Sequence, residues 1–195
     1  MRADAQRNRL RVLEVAQAVF AAEGLAVPID EIARRAGLGV GTLYRHFPTK
    51  EALLEAILLA RMEQVTEAAR ALAEGEDAGK AFFGLLALLG EENIPKKDLI
   101  EALARAGFDL KRAGEVKKEM IRTIGRLLER AQRAGAVRGD VAVEEVLSLA
   151  AGAFAAIDRY KGDASARARL LAIMCDGLRV PAPRPSKRPP KPKRA

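Results

Sequence analysis

The sequence predicts an all-α fold, and three observations carry that prediction. Ala, Leu, Glu and Arg dominate the composition, and straight-chain residues and alanine lose little entropy in a helix. Apolar residues recur at three- and four-residue spacing, whereas no stretch alternates apolar and polar residues for long enough to form a strand. Glycine and proline punctuate the chain at intervals that suit ordinary helices. With 195 residues, 49% of them apolar, the chain can bury a real core as one domain or two small ones.

The first helix is expected from about Asp4 to Glu23. Leu10, Leu13, Ala16 or Gln17, and Phe20 lie on one face with Val12, Val15 and Val19 beside it, and Gly24 stands as the stop. Proline suits a first helical position, so Pro28 opens a short second helix to Ala36, with Ile29, Ile32 and Ala33 as its apolar side. Gly37, Leu38 and Gly39 make a turn into a third helix, about Val40–Phe47. Pro48 breaks it, and Thr49 can cap a long fourth helix, Lys50 to about Glu74. Further helices are expected at about Gly79–Glu91, Lys96–Asp109, Glu115–Ala134, Val143–Tyr160 and Ala164–Arg179, about nine in all. Gly90, Gly107, Gly114, Gly135, Gly139 and Gly162 fall at or near the breaks, and Asp163 or Ser165 can cap the last helix. The run PAPRPSKRPPKPKRA, residues 181–195, combines proline with charge and is expected to be a disordered basic tail.

Charge is distributed unevenly. The net value is +8, of which residues 1–50 carry +3 and residues 181–195 carry +6, leaving −1 for the body between them. Basic ends on a neutral body suit a polyanion-binding head, although basic residues also simply solvate helix faces. Arg2, Arg7 and Arg11 either extend a basic face or are solvated.

The informative segment is PIDEIARRAGLGVGTLYRHFPTK, Pro28–Lys50. Two short helices joined by a tight glycine-containing turn let the second project into a major groove while the first braces it. Thr42, Tyr44, Arg45 and His46 put four hydrogen-bonding side chains within five residues. Leu43 and Phe47, four apart, share a face and can anchor the helix from behind. Lys50 follows at the start of the next helix, where its charge and nearby free amides can meet a phosphate.

Ala16, Phe20 and Gly24 at the end of the first helix, the run IDEIARRAG, and above all GTLYRHFPTKEALL resemble the DNA-binding domain of the tetracycline-repressor (TetR) family over about residues 7–60. The resemblance implies a helix-turn-helix DNA-binding domain over residues 1–50 and an effector-binding and dimerisation domain over 51–180, followed by the tail. It implies that Tyr44, His46 and Lys50 grip phosphates and that Val40, Gly41, Thr42 and Arg45 face base edges. Two departures stand out. Val27–Pro28 occupies a place where Ser or Thr often caps the second helix, and Val40 and Gly41 offer little hydrogen bonding. Base readout is then expected from Thr42, Arg45, apolar contact by Val40 and DNA shape.

Beyond residue 78 the chain holds more apolar helix than a DNA reader requires. Ala150, Ala151, Gly152, Ala153, Ala155 and Ala156 form a small-residue run that permits close helix approach, with Leu170, Leu171, Ile173, Met174 and Leu178 on the obvious partner helix. The resemblance implies that these two helices, about 143–160 and 164–179, pair with their copies in a homodimer. It also implies an effector cavity among the middle helices. The apolar candidates for its lining are Phe82, Phe83, Leu86, Leu103, Phe108, Met120, Ile124 and Phe154. Glu101, Arg105, Asp158 and Tyr160 are the polar ones, and an unidentified, apolar or amphipathic small molecule is expected. Release from a palindromic operator in double-stranded DNA, usually as a repressor, is the implied function.

Other classes find little support. Glu91 and Glu92 are adjacent, so on a helix they point apart and do not share acid–base work. Gly37-x-Gly39-x-Gly41 lacks the strand that a nucleotide loop needs. Cys175 is the sole cysteine and His46 the sole histidine, so neither a disulfide nor a cysteine-based zinc site is expected, and no catalytic residue, metal or cofactor is assigned. The chain lacks a signal-peptide core or an apolar run of about 18 residues, so a cytoplasmic protein off the membrane is expected. A helical DNA-binding adaptor or nucleoid-type protein without ligand control remains the alternative.

Overall fold

The computed structural model describes residues 2–91, 99, 102–103, 110–157 and 163–181. Eight named helices lie among the described residues: α1 Arg2–Glu23, α2 Ile29–Arg35, α3 Val40–His46, α4 Lys50–Ala73, α5 Ala78–Glu91, α6 Leu110–Arg133, α7 Val143–Ile157 and α8 Ala164–Leu178. The helix expected over Lys96–Asp109 falls largely outside the described residues, and so does the tail beyond Pro181. Extended pairing among the described residues amounts to one isolated bridge, Val137 with Arg179.

The local chemistry of each end explains the boundaries. Gly24 takes a left-handed φ of 81° and its amide bonds the Phe20 carbonyl, closing α1. At the end of α2, Gly37 has a φ of 68°, its N–H donates to Arg34 O, and the Leu38 N–H donates to Ala33 O. That pair of bonds is a Schellman motif, and a left-handed φ there favours glycine. Thr49 Oγ1 accepts from the Ala52 amide at 3.1 Å and starts α4. Asp163 does the same for α8 through the Ala166 amide at 2.9 Å. Pro28 proves to be the N-cap of α2 rather than its first helical residue, and no side chain caps that helix.

The start of α6 also differs from the sequence reading. Gly114 does not break the chain: α6 runs through it from Leu110. A glycine inside a helix costs about 1 kcal/mol relative to alanine, and tertiary packing of neighbours such as the buried Ala113 overrides so small a penalty.

Two cores form. The first gathers Val12, Leu13, Ala16, Val19 and Phe20 of α1, Ile29, Ile32 and Ala33 of α2, Leu43 of α3, and Phe47, with Leu53, Leu54, Ala56 and Ile57 of α4. Leu99 and Leu103 join this core as well. The second unites Val65 and Ala69 of α4 with Phe82, Leu85 and Leu86 of α5, Ile124, Leu127 and Leu128 of α6, Val146 and Ala150 of α7, and Met174 and Leu178 of α8. Helix α4, about 36 Å long at 1.5 Å per residue, thus belongs to both. It is tied to α6 by Arg70–Glu119 at 2.8 Å, and Arg130 donates to the carbonyls of Ala73, its last residue, and of Gly75 and Glu76 just beyond.

Candidate nucleic-acid interface

Helix α3 is held from one side only. Leu43 is 0% and Phe47 2% exposed, sealed into the first core, whereas Val40 and Tyr44 on the opposite side are 42% and 40% exposed. Gly41 and Arg45 are exposed, and Thr42 and His46 are half-buried. The backbone fixes the helix at both ends: the Thr42 amide bonds Gly39 O at 2.8 Å and the Phe47 amide bonds Leu43 O at 2.8 Å. The sequence-predicted base-facing set Val40, Gly41, Thr42 and Arg45 therefore shares one short helix with Tyr44 and His46.

The surroundings add contacts that sequence spacing did not reveal. Hydrogen bonding to the Asp30 carboxylate of α2, then partial burial, raises the Tyr44 phenol above its ordinary value. Arg9 of α1 stands 5.4 Å from the Phe47 ring centroid. The Arg11 guanidinium lies beside the Gly37 turn, 3.5 Å from where a Cβ would sit. Lys50 donates to the Val27 carbonyl oxygen at 2.9 Å and lies 5.8 Å from the Phe20 ring centroid. None of these partners is close in sequence.

The arginines of α2 are already neutralised. Glu31 accepts from Arg34 at 2.7 Å and from Arg35 at 2.6 Å, and these hydrogen bonds, Arg34 first, lower its pKa to about 2. Arg35 also pairs with Glu23 at the end of α1. Arg45 of α3 and Arg9 and Arg11 of α1 are exposed as well.

Of the proposed effector residues that are described, all but Leu103 gather in or at the edge of the second core. Phe82, Leu86 and Ile124 are buried in the second core, Phe154 lies in the same core, and Phe83 and Met120 are half-buried at its edge. Leu103 packs into the first core instead. Glu101, Arg105, Phe108, Asp158 and Tyr160 lie outside the described residues. A cleft of about 630 Å³ opens between α1, α4 and α6, lined by Leu10, Ala60, Glu63, Gln64, Thr66, Glu67, Arg70, Glu115, Val116 and Glu119. None of the nominated effector residues lines it.

Residues 12–57 match the family described as bacterial regulatory proteins of the tetR family, and residues 77–180 match the SbtR-like transcriptional regulator C-terminal domain. The chain belongs to the TetR family. A crystal structure of a TetR transcription regulatory protein from Mycobacterium vanbaalenii is 43% identical to this TetR-family regulator. It covers 92% of this chain and 99% of its own, with a TM-score of 0.72. A TetR transcriptional regulator from Streptomyces coelicolor is 30% identical over 89% of this chain and 99% of its own, also with a TM-score of 0.72. An HTH-type transcriptional regulator of Staphylococcus aureus (strain USA300) is 46% identical over 54 residues, a match spanning 27% of this chain and 29% of that protein. The segment that holds α2 and α3 thus matches the tetR family, and the body matches the SbtR-like domain separately.

Proposed function

We propose that this TetR-family regulator is a homodimeric repressor that binds a palindromic operator and leaves it when a small molecule binds the body. The observation that carries the reading is the two-sided α3, with Leu43 and Phe47 buried and Val40, Tyr44 and Arg45 exposed. Arg45 suits a guanine edge, Thr42 a base-edge hydrogen bond, and Val40 and Gly41 a close apolar approach to a thymine methyl. Tyr44 and His46 flank these positions and suit phosphate oxygens, Tyr44 by turning its single O–H from Asp30 to the phosphate; such contacts set orientation without carrying sequence information. Lys50 holds Val27 through one donor, and the remaining N–H groups of its ammonium suit a phosphate oxygen as well.

Dimerisation accounts for the outer faces of α7 and α8. Leu149, Ala151, Gly152 and Ala155 on α7 and Ala172, Ile173 and Gly177 on α8 are exposed in the single chain. A second copy on this face brings two α3 helices to half-sites roughly 34–36 Å apart or at a somewhat longer spacing. The effector reading rests on α4. A ligand that favours one packing of the body around α4 changes the separation of the two heads, by no more than its preference for that state. The cleft between α1, α4 and α6 runs along α4 and is a candidate for that ligand beside the buried set around Phe82.

Selection of bound fragments from random DNA, followed by footprinting, tests the reading. A protected dyad with two half-sites about one helical turn apart, or somewhat more, is expected. Even coating of every fragment would overturn it in favour of a nucleoid-type protein.

A further inference from the structure

We propose that residues 181–195 hold a second duplex, without regard to its sequence, on the side of the body away from α3, so that one regulator joins two segments of DNA. The proposal rests on the operator-binding reading of α3 and adds a contact which that reading does not use. Residues 181–195 carry six cations, Arg184, Lys187, Arg188, Lys191, Lys193 and Arg194, and no acidic side chain. A polycation of that density takes phosphates by releasing their condensed counterions, an interaction blind to sequence. The six prolines in the same run fix φ and offer no N–H, so the chain loses little freedom in lying along a strand.

Where the run starts decides which duplex it meets. The end of α8 is fixed to the turn after α6: Val137 bridges Arg179, and the Arg138 N–H donates to Leu178 O at 2.9 Å. That turn lies at the far end of α4, where Arg130 holds the Ala73 and Gly75 carbonyls. Helix α4 is about 36 Å long and starts just after α3, so the exit at Val180, 48% exposed, stands a whole helix length from the reading side. Arg184, Lys187 and Arg188 come at most seven residues after Pro181, and a taut chain carries them no more than about 25 Å. Half of the six cations therefore fall short of the duplex that α3 faces. Asp140 and Asp176 beside the exit already hold Arg138 and Arg179. A polyanion approaching the body from outside meets the charge instead, and for a regulator resting on DNA the most abundant polyanion is other duplex.

The test uses the full chain and a variant with all six cations changed to glutamine, R184Q, K187Q, R188Q, K191Q, K193Q and R194Q, which keeps the prolines and the length. A third chain exchanges lysine and arginine for each other at the same positions. Each protein is loaded on a bead-bound selected operator duplex, free protein is washed away, and a labelled random duplex is added across a salt series. Wild type and the exchanged chain are expected to retain the random duplex at about 50 mM salt and to release it by about 200 mM, and the glutamine variant to retain at least about tenfold less. Affinity and salt slope on the operator duplex alone stay at wild-type values in all three. Equal retention by the glutamine variant would assign the second duplex to other surfaces, and no retention by wild type would deny the run a duplex; either overturns the proposal. So would weaker operator binding by the glutamine variant with a smaller salt slope, which would place the cations on the duplex that α3 holds. If selection finds no preferred fragment, the operator reading fails, and the same comparison between two random duplexes still decides the role of the run.

Discussion

Glu31 shows how single residues tune the head. Its carboxylate holds Arg34 and Arg35 at once, and Arg35 in turn reaches Glu23 on α1, so one acid orders two helices and masks two cations. Because hydrogen bonds from Arg34 and Arg35 lower its pKa from 4.5 to about 2, the stability it contributes is complete above about 4.5 and is lost as pH falls through about 2. Glu31→Gln should therefore melt below wild type at neutral pH, and the gap should close as pH falls through that window. A gap that stays constant would remove Glu31 from the clasp. Added salt should narrow the gap too, since the arginines are solvent-exposed. Arg45 is a different case: no partner on α2 masks it, and it is exposed on the reading side. Arg45→Ala should relax the preference at one base pair by about 1–3 kcal/mol in a competition series over operator variants. A preference left intact would deny it direct readout.

At the scale of elements, close backbone approach decides where glycine is required. Gly79, in the first turn of α5, sits where an added Cβ would come within 2.8 Å of the Ala136 Cβ in the turn after α6. Gly79→Ala should cost about 1–3 kcal/mol by overpacking, measured by chemical denaturation. Ala136→Gly in the same chain should recover most of the loss, and an additive double variant would show that the two do not meet. The helices themselves were largely legible. Gly24, Gly37, Pro48 and Thr49 act through backbone freedom, a missing donor or a cap, effects local enough to read from neighbouring residues. The start of α6 was not, because Gly114 carries a local helix penalty that only packing elsewhere in the body can override. The same limit applies to the site. Leu43 and Phe47 announce their shared face by a four-residue spacing, whereas Lys50 meets a backbone carbonyl, an acceptor that every residue type offers and no side-chain pattern marks.

On the scale of the whole molecule, α4 makes two cores answer to each other. Leu53 and Ile57 belong to the head and Val65 and Ala69 to the body, on one continuous helix. Leu103 was expected among the effector residues and packs instead with the head, a long-range choice that no local periodicity encodes. The cleft between α1, α4 and α6 is equally hidden in sequence, since Glu63, Glu67 and Glu115 look like ordinary solvated positions until the helices meet. A body coupled to a head becomes useful to a regulator when two heads are joined, and the joint proposed here is the outer face of α7 and α8. Ile173 is 67% and Leu149 45% exposed in the single chain, flanked by small residues that let a partner helix come close. Ile173→Glu should leave the fold intact, because the side chain lies outside both cores, yet desolvating its charge against a second copy is costly. Sedimentation should then report a monomer. Operator affinity should drop by about 10²-fold or more, because the second head no longer binds as an intramolecular event. Binding to an isolated half-site should remain as in wild type. If the variant instead sediments as a dimer with full operator affinity, the α8 face is not the joint, and the spacing of the two α3 helices must be set by another surface.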